Sequence, residues 1–236
     1  MSELLSCEAL TKCYQKDKTA LENVDLHIGF GRIVGLLGPN GSGKTTLIKL
    51  ANGLLQPSAG SIRIAGMTPG PDTKAIVSYL PDADWLPDWM RVEQLVEMFR
   101  EFYADFDPAK ANEMLARLEL EPKARLKTLS KGSKEKVQLI LVMSRQVPLY
   151  LLDEPTSGLH FREISQLIAL LQKICDAGNT VVVIEHDMNV VASADWVIDM
   201  GPGGEDGGRI LCEGTPEDIA ACSESVTGRF LQKKIA

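Results

Sequence analysis

Residues 38–46 read Gly-Pro-Asn-Gly-Ser-Gly-Lys-Thr-Thr, and positions 38–45 fit the phosphate-binding pattern G-x-x-x-x-G-K-[ST]. Glycines at these places let backbone N–H groups turn inward around phosphate oxygens, and a helix N-terminus behind them adds a favourable dipole. Gly38, Pro39, Asn40, Gly41, Ser42, Gly43, Lys44, Thr45 and Thr46 are therefore the candidate nucleotide-binding residues, with Lys44 reaching the β- and γ-phosphates and the Thr45 hydroxyl holding Mg²⁺. About 110 residues after Lys44, the apolar run Leu149-Tyr150-Leu151-Leu152 ends in two carboxylates, Asp153 and Glu154. A buried strand would deliver Asp153 beside the phosphate loop as a second Mg²⁺ ligand. Glu154 would then face the γ-phosphate as a general base for water, a role that contributes ~10²–10⁴-fold. The chemistry implied is cleavage of a magnesium-bound nucleoside triphosphate.

The elements that must hold these groups are legible in outline. Ile33-Val34-Gly35-Leu36-Leu37 reads as a buried strand leading into the loop, and Leu47, Ile48 and Leu50 follow at helical spacing. Residues 3–37 have the period-two character of short strands, clearest at 21–28. A turn at 56–60 precedes a strand at 61–65, and another strand at 75–80 ends at Pro81. Val92, Leu95, Val96 and Phe99 form one amphipathic stripe, and Met114, Leu115 and Leu118 form a second after Pro108. We read these as an inserted helical subdomain spanning about 85–145. From Pro148 onward strand and helix alternate: strand 149–152, helix 161–177, strand 180–184 and strand 196–200. That alternation predicts a parallel sheet covered by helices. Residues 201–208 read as a loop and 216–221 as a short surface helix, all within one domain, 1–236.

Composition narrows the partners. Hydrophobic content of 44% and charged content of 24% are those of a globular chain, and the net charge is −7. This balance argues against nucleic acid or anionic lipid as partners. Lys123, Arg125, Lys127, Lys131, Lys134 and Lys136 form a basic cluster that could meet phosphates, but such a run is more often a solvated helix face. Five scattered cysteines without a C-x-x-C pair suggest reduced thiols in a cytoplasmic protein. The longest apolar runs are too short to cross a bilayer, so no direct membrane insertion is expected.

Between the two nucleotide motifs lies Leu129-Ser130-Lys131-Gly132-Ser133-Lys134. With them it resembles the signature segment of the ATP-binding cassette (ABC) family, usually Leu-Ser-Gly-Gly-Gln. Ser130 and Gly132 are retained, whereas Lys131 and Ser133 depart from the pattern. Without the family, Ser130 would read simply as a helix cap. The resemblance implies an α/β P-loop NTPase of ABC ATPase type: a mixed sheet core, an N-terminal antiparallel β subdomain and the inserted helical subdomain. It also implies ATP and Mg²⁺ as ligands, and ATP hydrolysis by a head-to-tail dimer in which Ser130 and Gly132 meet the γ-phosphate of the partner's ATP. Tyr14 matches the adenine-stacking aromatic and His186 the switch histidine. Asp82 stands where the family usually has glutamine, as a further group near Mg²⁺ or the water. His160, in Ser157-Gly158-Leu159-His160, replaces an aspartate of transporter subunits.

Two resemblances meet in the chain. Residues 1 to about 155 resemble a bacterial ABC transporter ATP-binding subunit, whose helical region docks on a membrane permease at the inner face of the membrane. From Thr156 on, the chain resembles the C-terminal end of the excision-repair ATPase UvrA, through residues 157–160, 178–186, 194–199 and 227–231. A recombined chain joined near 153–160 would account for both. The alternatives to a transporter subunit are then a UvrA-like DNA-repair ATPase, or a chimeric fold that binds ATP with little turnover.

Overall fold

A computed structural model describes residues 3–15, 18–204 and 207–235. The ends of the 1–236 span, two positions of the predicted 3–37 strands and two of the 201–208 loop lie outside the described residues. Strands β1 (Glu3–Gln15), β2 (Lys18–Gly29) and β4 (Ala59–Ile64) form an antiparallel sheet in the order β2-β1-β4. A second sheet contains β3 (Ile33–Leu37), β5 (Val77–Leu80), β6 (Leu149–Asp153), β7 (Thr180–Ile184), β8 (Trp196–Gly201) and β9 (Arg209–Gly214), ordered β5-β6-β7-β3-β8-β9. Every residue of β3, β6 and β7 is buried, which is why these segments are continuous Val/Ile/Leu runs without alternation. Only β9 runs antiparallel to its neighbour. The sheet is therefore mixed.

The strand order interleaves the two ends of the chain. β7 lies between β6 and β3, with Val182 opposite both Leu151 and Val34, while β3 lies between β7 and β8. Residues before and after position 155 thus share one sheet and both of its apolar faces. On one face, α1 (Lys44–Ala51) and the antiparallel sheet pack Leu26, Ile48 and Ile64 against Leu36, Leu151 and Val182. On the other, α4 (Lys131–Met143) and α5 (Phe161–Asp176) cover Tyr150, Leu152 and Val183.

A third apolar cluster joins α2 (Val92–Phe102), α3 (Pro108–Arg117) and α4 through Leu95, Phe99, Leu115 and Ile140. Arg145 ties these helices to the sheet. Its guanidinium donates to both oxygens of Asp105 at 3.0 and 2.8 Å, to the Val77 carbonyl at 2.7 Å and to the Lys74 carbonyl at 3.2 Å.

Several boundaries differ from expectation. The strand expected at 75–80 begins at Val77, because residues 72–75 form a 3₁₀ turn whose Lys74 carbonyl meets Arg145. The helix expected to reach Ala177 stops at Asp176, and the strand expected over 61–65 runs from Ala59 to Ile64. β9 and two helices, α6 (Met188–Ala192) and α8 (Val226–Ile235), add to the elements expected from sequence, and α7 (Pro216–Ala221) falls at the expected surface helix. Among the described residues no helix is long and apolar enough to cross a membrane.

Candidate functional site

The phosphate-loop residues connect the buried end of β3 to α1. Gly43 occupies the helix N-cap in the left-handed region (φ 98°) and supplies no side-chain cap, so the first N–H groups of α1 are left for a ligand. Lys44 is 6% exposed and folds back over the loop, donating to the carbonyls of Gly38 at 2.7 Å and Pro39 at 3.0 Å. Burial lowers its pKa, against the opposing pull of Asp153, Glu154 and Asp199. The glycine-rich segment after β8 braces the loop from behind. A Cβ on Gly203 would stand 2.8 Å from the Asn40 carbonyl, and one on Gly207 2.9 Å from that of Gly41. Only glycine permits so close an approach at these points.

Asp153 closes β6 at 3% exposure, and its Oδ2 has no hydrogen-bond partner. Burial pushes its carboxyl up to about 6; the Thr45 hydroxyl beside it works the other way, and the nearby Asp82 and Glu154 charges add to the rise. A buried, unpartnered carboxylate oxygen next to a threonine hydroxyl fits a small hard cation, because Mg²⁺ takes few protein oxygens beside phosphate. Glu154 follows with φ 53°, a conformation that costs about 1–3 kcal/mol in a residue with a side chain. Its N–H donates to the Ile184 carbonyl at 3.0 Å, and its Oε1 lies 3.7 Å from His186 Nε2. Asp82 lines the same cavity of about 180 Å³ as Asp153 and Glu154. Three carboxylates thus share one small space, which a divalent cation would relieve.

Tyr14 stands beside the start of α1, its hydroxyl 3.3 Å from Thr46 Oγ1 and about half its surface exposed. Ser130 caps α4, accepting from the Ser133 N–H at 3.2 Å. Gly132 abuts Gly158 so tightly that a Cβ on Gly158 would lie 2.5 Å from the Gly132 Cα. His160 caps α5, with its ring 4.4 Å from that of Phe161. Lys44, Asp153, Glu154, Asp82 and His186 therefore converge, whereas Gly132 contacts the loop that follows Glu154 and Ser130 bonds within the cap of α4.

Two site residues escaped the sequence reading. Asp199, buried within β8, accepts a hydrogen bond from the Ser225 hydroxyl at 2.5 Å and leaves Oδ1 unpartnered. Glu185, 3% exposed, accepts from the Thr156 N–H at 2.7 Å, the His186 N–H at 2.9 Å and the Asp187 N–H at 3.2 Å. One signal was available for it: the apolar run of β7 ends in consecutive polar residues, just as β6 ends in Asp153-Glu154.

The sequence model of the ABC transporter family matches residues 21–157. UvrABC system protein A of Rickettsia bellii is 53% identical over 110 residues, 45% of this chain and 12% of that protein. Its counterpart in Haemophilus ducreyi is 45% identical over 156 residues, 61% of this chain and 16% of that one. The chain therefore spans less than a fifth of the length of these relatives. Coverage of 61% also exceeds what residues 156–236 can supply, so this similarity extends upstream of Thr156. Among solved structures, an ATP-binding subunit of an ABC transporter aligns with a TM-score of 0.81 and 26% identity, covering 98% of both chains. A dimeric ATP-binding cassette in a post-hydrolysis state, bound to ADP and Pi, aligns at 0.78 with 25% identity over 89% of this chain and 98% of that one. Matched over more than half its length and folded throughout like such ATP-binding subunits, the chain belongs to the ABC transporter family and carries its ATPase fold.

Proposed function

We propose that the chain binds Mg-ATP and hydrolyses it in a head-to-tail pair, as the nucleotide-binding subunit of a transporter. The observation that carries this reading is the open N-terminus of α1 beside a buried Asp153 with an unpartnered oxygen, one residue before Glu154. The loop amides and Tyr14 would bind phosphates and adenine. Lys44 would exchange its two carbonyl acceptors for phosphate oxygens. Thr45 and Asp153, with Asp82 close by, would hold Mg²⁺, which supplies charge neutralisation across the β- and γ-phosphates. Glu154 would take a proton from the attacking water, and His186 would face the γ-phosphate from the adjoining strand end. Ser130 and Gly132 would complete the site of a second chain, as the dimeric cassette suggests. The helical unit at about 85–145, with Trp89 and Phe102 prominently exposed, would dock on a permease at the inner face of a membrane.

Identity to UvrA relatives favours a second reading, a DNA-repair-type ATPase. Against it, Lys134 bonds to Asp84 and Asp88, Lys136 pairs with Glu163, and Lys131 lies 3.6 Å from Glu135. Half of the basic run already faces carboxylates. Salt-dependent duplex binding, with a slope reporting several neutralised phosphates, would instead support repair. Impaired turnover in a recombined chain is the third reading, and turnover measured against protein concentration tests it together with pairing.

The deciding variant is Glu154→Gln. It should slow hydrolysis ~10²–10⁴-fold while ATP affinity holds, and it should accumulate an ATP-dependent dimer on size-exclusion chromatography. Unchanged turnover would remove Glu154 from this role.

A further inference from the structure

We infer that Glu185 is a positioning residue that fixes the spacing between Glu154 and His186; the inference deepens the ATPase reading and rests on it. Glu154 and His186 follow the ends of the neighbouring strands β6 and β7, yet their side chains stand 3.7 Å apart, beyond hydrogen-bond distance. No hydrogen bond joins the two side chains. Their backbones, however, are linked through one buried side chain. Oε1 of Glu185 accepts from the Thr156 N–H at 2.7 Å, two residues past Glu154. Oε2 accepts from the N–H groups of His186 at 2.9 Å and Asp187 at 3.2 Å. The Glu154 N–H donates in turn to the Ile184 carbonyl, the residue before Glu185. The result is a closed ring of backbone and carboxylate that contains both proposed catalytic groups.

The donor set points to positioning. Among the described residues no lysine, arginine or histidine forms an ion pair with Glu185, and its three partners are all main-chain amides in two loops. An ionised carboxyl can only accept, so both oxygens must meet N–H groups. Such charge-assisted bonds are shorter and stronger than neutral ones. The strap also reaches the loop that brings Gly158 against Gly132. Glu185 therefore relates three parts that an ATP-driven pairing must align: the base, the switch histidine and the loop packed on α4.

Glutamine is the informative replacement because it keeps shape and size. Its one carbonyl oxygen satisfies one loop, and its NH₂ turns a donor toward the other. Four proteins should be compared: wild type, E185Q, H186A and the double variant. We expect E185Q to lower kcat ~10-fold with KM and ATP affinity within ~2-fold, the pattern of an interaction expressed in the reacting complex. In the H186A background the same substitution should cost less than ~2-fold, because both changes break one unit. In the nucleotide-free protein, hydrogen exchange at Thr156, His186 and Asp187 should quicken ~10-fold in E185Q while β6 and β7 stay protected. Wild-type kcat in E185Q, fully multiplicative losses in the double variant, or accelerated exchange throughout β6 and β7 would each overturn the inference. If the wild-type protein hydrolyses no ATP, the ATPase reading fails, and the exchange measurement alone judges whether Glu185 straps the two loops.

Discussion

Asp153→Asn should stabilise the nucleotide-free protein at neutral pH while shrinking its gain from Mg-ATP. The wild-type carboxyl rises from 3.8 to about 6, chiefly through burial. A carboxyl whose folded pKa exceeds its unfolded value favours the protonated native state. Its contribution is complete below about 3.8 and is lost as pH climbs through about 6. At pH 7 the group is charged in both states and the burial penalty is fully expressed. Two units at 1.36 kcal/mol each set the ceiling, so the neutral amide should recover ~1–3 kcal/mol. For a chain of this size that is ~2–12 °C in Tm. Thermal unfolding followed by circular dichroism should show the two proteins diverging between pH 4 and 7, with the variant ahead. Mg-ATP at one fixed concentration should narrow or reverse the difference, since ligand stabilises the tighter-binding protein more. A variant less stable than wild type at pH 7 without ligand, or a difference that ignores pH, would refute the account of Asp153 as a strained, cation-awaiting carboxylate.

Lys44→Ala should weaken ATP binding ~10–100-fold by calorimetry, the worth of a charge-assisted phosphate contact; undiminished affinity would remove Lys44 from the phosphates. Gly158→Ala places a Cβ against Gly132 and Glu135 at φ 70°, and should cost ~1–3 kcal/mol. It should also impair ATP-dependent pairing more than monomer binding. A neutral melting temperature with intact pairing would show that the Gly132–Gly158 approach is dispensable.

The legible parts of this fold were those with a local cause. Continuous apolar runs announced β3, β6 and β7, and stripes such as Val92, Leu95, Val96 and Phe99 announced α2. The phosphate loop was readable because its glycines and Lys44 act over eight consecutive residues. What stayed hidden depended on distant partners. β9 is only half-buried and follows a glycine-rich stretch, so its pairing with β8 left no clear period. α6 is five residues long and held by the Asp187 cap, too short for a helical stripe. Glu185 has no motif of its own; its meaning comes from Thr156, 29 residues away. The glycines of 201–208 read in the sequence only as a loop, because the backbone they brace lies some 160 positions upstream.

The placement of β7 has a mechanical consequence. Adjacent strands stand ~4.8 Å apart, and β7 is the single strand separating β3, which carries the phosphate loop, from β6, which carries Asp153 and Glu154. On the proposed ATPase reading, β7 thus sets the gap that triphosphate and cation would have to span. A substitution that shifts the position of β7, even at residues far from any ligand, would displace Asp153 and Glu154 relative to the loop after β3.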